Sequence, residues 1–163
     1  MTILIYMTAG LSSRFGGMII QFAEIGPNEE PLIEYSMNQA IKAGISKIVF
    51  IVGDLTKKPF QEKFSSSYKN IKIEYTFQTY DKKERDKPWG TLDAISTIKN
   101  NVNCPFIICN GDDIYGENSF KTLVNHLKNV YRVLMSRAHK GVYVYFMDKD
   151  TEKYFRTHLP EIK

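Results

Sequence analysis

Three short polar segments combine residue types that can bind phosphate compounds. The first, Thr8-Ala-Gly-Leu-Ser-Ser-Arg-Phe-Gly-Gly17, directly follows an apolar stretch. Its small residues allow backbone N–H groups to approach a phosphate chain, and the guanidinium of Arg14 can bind two phosphate oxygens at once. The segment is neither a Walker A motif nor a Gly-x-Gly-x-x-Gly fingerprint, so a purely structural glycine-rich turn remains the alternative.

The second segment follows Phe77 and contains Gln78 and then Lys87-Pro-Trp-Gly-Thr91. A glutamine amide can both donate to and accept from the edge of a base. Gly90 allows close backbone approach, and we predict that Thr91 caps a helix, whose N-terminus is a natural anion site. The alternative is a loop followed by an ordinary helix cap.

The third segment, Asn110-Gly-Asp-Asp-Ile-Tyr-Gly116, places two adjacent carboxylates after an apolar run. Crowding Asp112 against Asp113 is costly unless a cation or hydrogen bonds offset the repulsion. Mg²⁺ bound together with substrate phosphates would do so. An Asx turn with two solvated carboxylates is the alternative.

Apolar runs of strand length alternate with helical patterns along the chain, which predicts one α/β domain over residues 1–163. Strands that are apolar throughout indicate a mostly parallel sheet covered on both faces, a three-layer sandwich. Ligands bind such sheets beyond the carboxyl ends of the strands, so we expect the three segments to line one cleft. The predicted strands are Thr2–Met7, Lys47–Val52, Ile71–Phe77, Phe106–Cys109 and Gly141–Met147, and the predicted helices are Pro31–Ala43, Pro59–Phe64, Thr91–Lys99, Asn118–Tyr131 and Thr151–Leu159.

Composition excludes several classes of protein. The chain has 163 residues, 43% hydrophobic and 25% charged, with a net charge of +4, as expected for a soluble globular domain. No apolar run could span a membrane and no basic segment precedes the first strand, so we expect a cytoplasmic protein without a membrane partner. The sequence contains no platform of interleaved aromatic and basic residues of the kind that binds single strands, so we expect no nucleic-acid partner. Cys104 and Cys109 have no metal-ligand spacing with the three histidines.

The order of four segments resembles the N-terminal part of sugar nucleotidylyltransferases, from Met1 to about Tyr131. These segments are Ala9-Gly-Leu-Ser-Ser-Arg14, Glu30-Pro-Leu-Ile33, Lys87-Pro-Trp-Gly-Thr91 and Asn110-Gly-Asp-Asp-Ile-Tyr-Gly116. The resemblance implies a shortened Rossmann-like nucleotidyltransferase fold. It also implies a reaction that joins a nucleoside triphosphate to a sugar 1-phosphate and releases pyrophosphate. The sugar phosphate attacks the α-phosphorus in line, so catalysis consists of positioning and charge neutralisation.

The resemblance also implies roles for individual residues. Arg14 would act on the phosphates in catalysis, and Asp112 would hold a catalytic Mg²⁺ ion. Asp113 is a weaker metal candidate, because only one carboxylate of the pair need face the metal. The implied nucleotide-binding residues are Ala9, Gly10, Leu11, Ser12, Ser13, Arg14, Gln78, Gly90 and Thr91.

The chain departs from the family pattern at the triphosphate site. Ser12 stands where the family often has glycine. More seriously, Ile20 occupies the position of a lysine that contacts phosphate, and the segment before Gln21 is one residue longer than usual. Ile20 supplies no charge, although one of three lysines could replace it in space. These lysines are Lys42, Lys57 and Lys87.

The second departure is length. Residues 132–163 are too few for the second half of the family, which builds most of the sugar-phosphate site and supplies a second metal-binding aspartate. Asp148 or Asp150 could stand in for that aspartate, although a solvated turn is the alternative interpretation.

Other functions remain open. A shorter enzyme with a non-sugar acceptor would resemble molybdenum-cofactor guanylyltransferases or the cytidylyltransferases of isoprenoid synthesis, and Gln21-Phe22 is similar to the latter. The Lys87–Thr91 segment and Asp112-Asp113 favour the sugar enzymes. A catalytically inactive nucleotide-binding module, favoured by Ile20 and the missing half, is a further alternative. A truncated remnant is the last, and its uncovered apolar face would favour a homo-oligomer.

Overall fold

A computed structural model of the chain shows three layers, with a five-stranded sheet between helices. It describes residues 2–10, 16, 18–26, 28–81, 83, 90–99, 101–102, 104–136, 153 and 157, without the side chains of 128–136. The strand order is β3-β4-β2-β1-β5, and every pair is parallel except β3–β4. The strands are β1 (Ile3–Met7), β2 (Lys47–Val52), β3 (Ser67–Tyr68), β4 (Ile71–Phe77) and β5 (Phe106–Asn110). The helices are a 3-10 turn (Ile20–Phe22), α1 (Leu32–Lys42), α2 (Lys57–Phe64), α3 (Thr91–Ser96) and α4 (Glu117–Ser136).

Alternating side chains of the central strands enter two apolar clusters, one on each face of the sheet. Leu4 and Tyr6 of β1 pack in the larger cluster with side chains from α1, α2 and α4. Ile3 and Ile5 pack in the smaller cluster on the opposite face, with Ala94 of α3. Burial on both faces explains the continuous apolar runs, and it confirms the predicted three-layer α/β fold.

Helix α1 ends in a glycine-dependent motif. Gly44 has a φ of +95°, its N–H donates to the Ile41 carbonyl, and the N–H of Ile45 donates to the Ala40 carbonyl. These two bonds form a Schellman cap, which requires the left-handed conformation that glycine adopts at little cost. The predicted helix end at Gly44 is therefore confirmed, and Ile45 carries the chain into the larger cluster.

Two local predictions need correction, and one strand was not predicted. Pro31 precedes α1 as its N-cap, because its carbonyl accepts the first helical hydrogen bond, from Tyr35. Thr91 is the first residue of α3 and does not cap it, since Gly90 occupies the cap position. Strand β3 was not predicted, because a two-residue strand has no periodicity to detect.

The predicted last strand, Gly141–Met147, lies outside the described residues. Of the predicted last helix only Lys153 and Thr157 are described, and the Thr157 hydroxyl donates to the Lys153 carbonyl, as in a helical turn. Among the helices within the described ranges, none is long and apolar enough to span a bilayer.

Candidate nucleotide site

The three polar segments leave the sheet at one edge, which is formed by the carboxyl ends of the parallel strands. Because β4, β2, β1 and β5 run parallel, their carboxyl ends lie side by side. Backbone hydrogen bonds continue the ladder past the strand ends, from Thr8 to Ile51, from Gln78 to Val52 and from Gly111 to Met7. The edge of an open parallel sheet is where ligands bind, so the placement expected from the sequence is present.

The first segment enters this edge in close contact with the loop after β2. A Cβ on Gly53 would lie 3.0 Å from the Ala9 carbonyl oxygen, so these two loops touch. Ala9 is buried and Gly10 is exposed. Leu11, Ser12, Ser13 and Arg14 lie outside the described residues, and the position of Arg14 relative to Asp112 stays a prediction.

Gly111 brings the third segment against the first. A Cβ on Gly111 would lie 2.5 Å from Thr8 Cγ2, 3.1 Å from the Met7 carbonyl oxygen and 3.3 Å from Gln21 Cγ. Only glycine fits such a close approach without displacing a neighbour. The loops after β1 and β5 are thus packed directly on each other, and the Gln21 side chain lies beside Gly111.

Gln21 is a polar residue of this edge that sequence reasoning did not assign. It is 4% exposed, and its Oε1 atom has no hydrogen-bond partner within the described part of the chain. A buried amide oxygen normally has a partner, because an unsatisfied one costs about 1–3 kcal/mol. The available signal was a glutamine within the otherwise apolar run Met18–Phe22.

The two aspartates of the third segment have different surroundings. The Asp113 Oδ2 atom accepts hydrogen bonds from Asn110 Nδ2 at 2.8 Å and from the Tyr115 hydroxyl at 3.2 Å. Asp112 is exposed, and no hydrogen bond or ion pair within the described ranges engages its carboxylate. Asp113 therefore stabilises the loop, and Asp112 is the carboxylate available to a ligand.

The protonation of Tyr115 supports this arrangement. The pKa of Tyr115 is raised to about 12, mainly by burial; the hydrogen bond from the Asn110 backbone lowers it, and the Cys109 thiol and the Asp113 carboxylate make smaller contributions that raise it. The phenol therefore keeps its proton at neutral pH and donates a hydrogen bond to Asp113. Its oxygen also accepts the Asn110 backbone N–H at 2.9 Å, which fastens the loop to the end of β5.

At the other end of the candidate cleft, Gln78 pairs with α3. Its side chain is 5% exposed, and Nε2 donates to Asp93 Oδ2 at 2.7 Å. Gly90 and Thr91 immediately precede this contact and are exposed. The structure thus brings Gln78 near the start of α3, as the resemblance implies, and adds Asp93, which the sequence did not single out.

Ile20 lies in the 3-10 turn, directly before Gln21, and offers no charge. Of the three lysines that could replace one there, Lys87 lies outside the described residues. Lys42 is in the last turn of α1, which leads to the amino end of β2. Lys57 Nζ lies 5.0 Å from the centre of the Phe77 ring, at the carboxyl end of β4. Of these three lysines, Lys57 is therefore the one that the structure places at the carboxyl end of a strand of the sheet.

Within the described residues there is no group of three or more histidine, cysteine, aspartate or glutamate side chains that could hold a metal ion alone. A single free carboxylate suits Mg²⁺, which commonly binds one or two protein carboxylates and completes its shell with substrate phosphates and water. Asp112 fits that role, and the predicted second aspartates, Asp148 and Asp150, lie outside the described residues.

The fold is shared with several solved enzymes. A UDP-glucose pyrophosphorylase solved with UDP-glucose is 18% identical with a TM-score of 0.61, over 80% of this chain and 55% of that one. A Bacillus anthracis glucose-1-phosphate thymidylyltransferase solved with sucrose is 16% identical with a TM-score of 0.63, over 79% and 51%. HddC from Yersinia pseudotuberculosis, solved with GMP-PN, is 19% identical with a TM-score of 0.56, over 77% and 54%. The chain thus spans about half the length of these structures.

No curated protein matches the sequence significantly. The family model for nucleotidyl transferases matches residues 21–148. The match begins after the glycine-rich segment and continues past Tyr131, near which the resemblance of the motifs ends. Since this match covers most of the chain, the protein belongs to the nucleotidyl transferase family.

Proposed function

We propose that this chain binds a nucleoside triphosphate with Mg²⁺ and transfers the nucleoside monophosphate to a sugar 1-phosphate, releasing pyrophosphate. One observation carries the proposal. The chain belongs to the nucleotidyl transferase family, and in its fold the glycine-rich segment follows β1 and Asp112 follows β5. These two strands are hydrogen-bonded neighbours. Neighbouring strands lie about 4.8 Å apart, so the two loops begin within the span of one triphosphate.

The residues of this edge divide the work of positioning. Backbone N–H groups from Ala9 onward and the Arg14 guanidinium hold the triphosphate oxygens, and Gln78 contacts the base. Asp112 binds the magnesium ion, whose charge offsets the negative charge that develops at the α-phosphate. Asp113 keeps the loop in place through its hydrogen bonds. With both substrates held in line, the sugar phosphate oxygen needs no base, because it is already an anion.

A nucleotide-binding module without transfer is the second candidate, and Ile20 favours it. A fixed ammonium at this position would act mainly on the transition state, and removing one such group typically costs about 100- to 1000-fold in rate. The chain also spans about half the length of the solved structures that share its fold. Binding without transfer would leave the nucleotide site intact while pyrophosphate release is lost.

Calorimetry of the four common NTPs and dTTP, with and without Mg²⁺, tests nucleotide binding. We expect Asp112→Asn to weaken Mg²⁺-dependent binding by about 10- to 100-fold, as for the loss of one charged contact. Asp113→Asn is the matched control, since it removes the same charge one residue away and should keep the magnesium dependence. Equal magnesium dependence in the parent and in Asp112→Asn would reject Asp112 as the metal ligand.

Pyrophosphate release separates the two candidates. The protein is incubated with Mg²⁺, the preferred NTP and a panel of sugar 1-phosphates. Release that depends on one sugar 1-phosphate supports transfer. Nucleotide binding without any release supports the binding module.

A further inference from the structure

Gln78 and Asp93 form a pair that the sheet itself does not require. The backbone N–H of Gln78 is already used, because it donates to the Val52 carbonyl. The side chain is 5% exposed, and its Nε2 atom donates to Asp93 Oδ2 at 2.7 Å. Asp93 lies in the first turn of α3, where a carboxylate is favourable next to the free N–H groups of the helix.

We infer that Asp93 is a positioning residue that fixes the order in which Gln78 presents its hydrogen-bond acceptor and donor to a base. A carboxylate only accepts hydrogen bonds, so the amide nitrogen must face Asp93 and the amide oxygen must lie on the opposite side. An unrestrained glutamine amide can rotate by half a turn and exchange the two atoms. The inference rests on the proposed nucleotide site and specifies how that site selects its base.

The order matters because bases fall into two classes on their Watson–Crick edge. Uracil, thymine and guanine combine a keto oxygen with a ring N–H, whereas adenine and cytosine combine an exocyclic amine with a ring nitrogen acceptor. A free amide can pair with either class by rotating. An amide held by Asp93 pairs with one class only, because the other class would oppose donor to donor and acceptor to acceptor.

The magnitude follows from the bond that rotation would break. A hydrogen bond to a charged partner typically changes an equilibrium by about 10- to 100-fold. We expect the parent to separate GTP and UTP from ATP and CTP by at least about tenfold in Kd. In Asp93→Asn, residue 93 can accept or donate, so both amide orientations are available, and we expect the ratio to fall to within about threefold.

The controls separate positioning from charge or folding. Glu62→Gln removes the same charge from an exposed pair with Lys58 on α2, and should keep the parent ratio. In a Gln78→Ala background, adding Asp93→Asn should change the ratio no further, because Asp93 acts through Gln78. Melting temperatures verify that each variant is folded.

The side-chain amide of Gln78, observed by nitrogen-15 NMR, reports its hydrogen bond to Asp93 in the absence of nucleotide. We expect one slowly exchanging amide proton in the parent and faster exchange in Asp93→Asn. An unchanged base ratio in Asp93→Asn, or an equal loss of affinity for all four NTPs, overturns the inference while leaving the proposed function intact. A parent that binds no NTP overturns the proposed function, and the inference with it.

Discussion

The close approach at Gly111 predicts a large effect from a single methyl group. In Gly111→Ala the new Cβ would lie 2.5 Å from Thr8 Cγ2 and 3.1 Å from the Met7 carbonyl oxygen. Carbon atoms in contact normally lie about 3.5–4.0 Å apart, so neighbours must move by about 1 Å. Thr8 cannot turn away easily, because it is fully buried and its hydroxyl donates to the Ile51 carbonyl at 2.8 Å.

Overpacking of this kind typically costs about 1–3 kcal/mol of unfolding free energy. For a domain of this size the melting temperature should fall by about 2–12 °C. Urea unfolding and thermal melting, both followed by circular dichroism, measure the loss. Gly10→Ala is the matched control, since its Cβ would meet no atom of the described residues within 4 Å, and its effect should stay within about 0.5 kcal/mol.

A double-mutant cycle tests the proposed contact directly. Thr8→Ser removes the methyl that the new Cβ would strike and keeps the hydroxyl. Adding Thr8→Ser to Gly111→Ala should therefore cost less than the sum of the single changes, by about 1 kcal/mol. Strict additivity, or a Gly111→Ala protein as stable as Gly10→Ala, would refute the argument that β1 and β5 need this close approach.

Three further predictions concern charge and protonation. Ile20→Lys should raise pyrophosphate release above the parent in a steady-state assay, and a flat result in a protein that binds nucleotide would favour the non-catalytic module. Burial raises the pKa of Glu74, but hydrogen bonds and charges from Lys47 and Lys72 outweigh burial, so the pKa is lowered. The stability that this carboxylate contributes is therefore present above its pKa in the unfolded chain and is lost as the pH falls through its pKa in the folded protein. Glu74→Gln should accordingly cost about 1 kcal/mol in urea unfolding at pH 7, allowing for solvent screening, and progressively less as the pH falls below 4.5, and an equal cost at every pH would contradict this. Burial, with a smaller effect of Asp113, raises the pKa of the Cys109 thiol to about 12. In Cys104→Ser, where Cys109 is the remaining thiol, a thiol reagent at pH 8 should therefore label Cys109 only when the protein unfolds. Rapid labelling of the native protein would be inconsistent with that burial.

The sequence by itself determined most of the fold. Lys47–Val52 and Ile71–Phe77 were predicted with the observed bounds, and the first and fourth predicted strands differ from β1 and β5 by one residue. These elements are readable because continuous apolar runs and helical periodicity are local properties of the chain. Parallel strands then fix which loops share an edge, so the placement of the Ala9, Gln78 and Asp112 segments followed from the sequence as well.

Only the tertiary structure distinguished residues of the same type within that edge. The resemblance favours Asp112 over Asp113 as the metal ligand, but only the structure shows how their surroundings differ: Asn110 and Tyr115 of the same loop donate hydrogen bonds to Asp113. Nor could it reveal the Gln78–Asp93 pair, whose partners are joined by packing of α3 on the sheet. The burial of Gln21 is likewise visible only in the folded chain, where its side chain lies beside Gly111, 90 residues later in the sequence. The last two features rest on contacts between segments distant in the sequence, and the first rests on the folded shape of one loop. Local propensity and periodicity carry no information about either kind of side-chain partner.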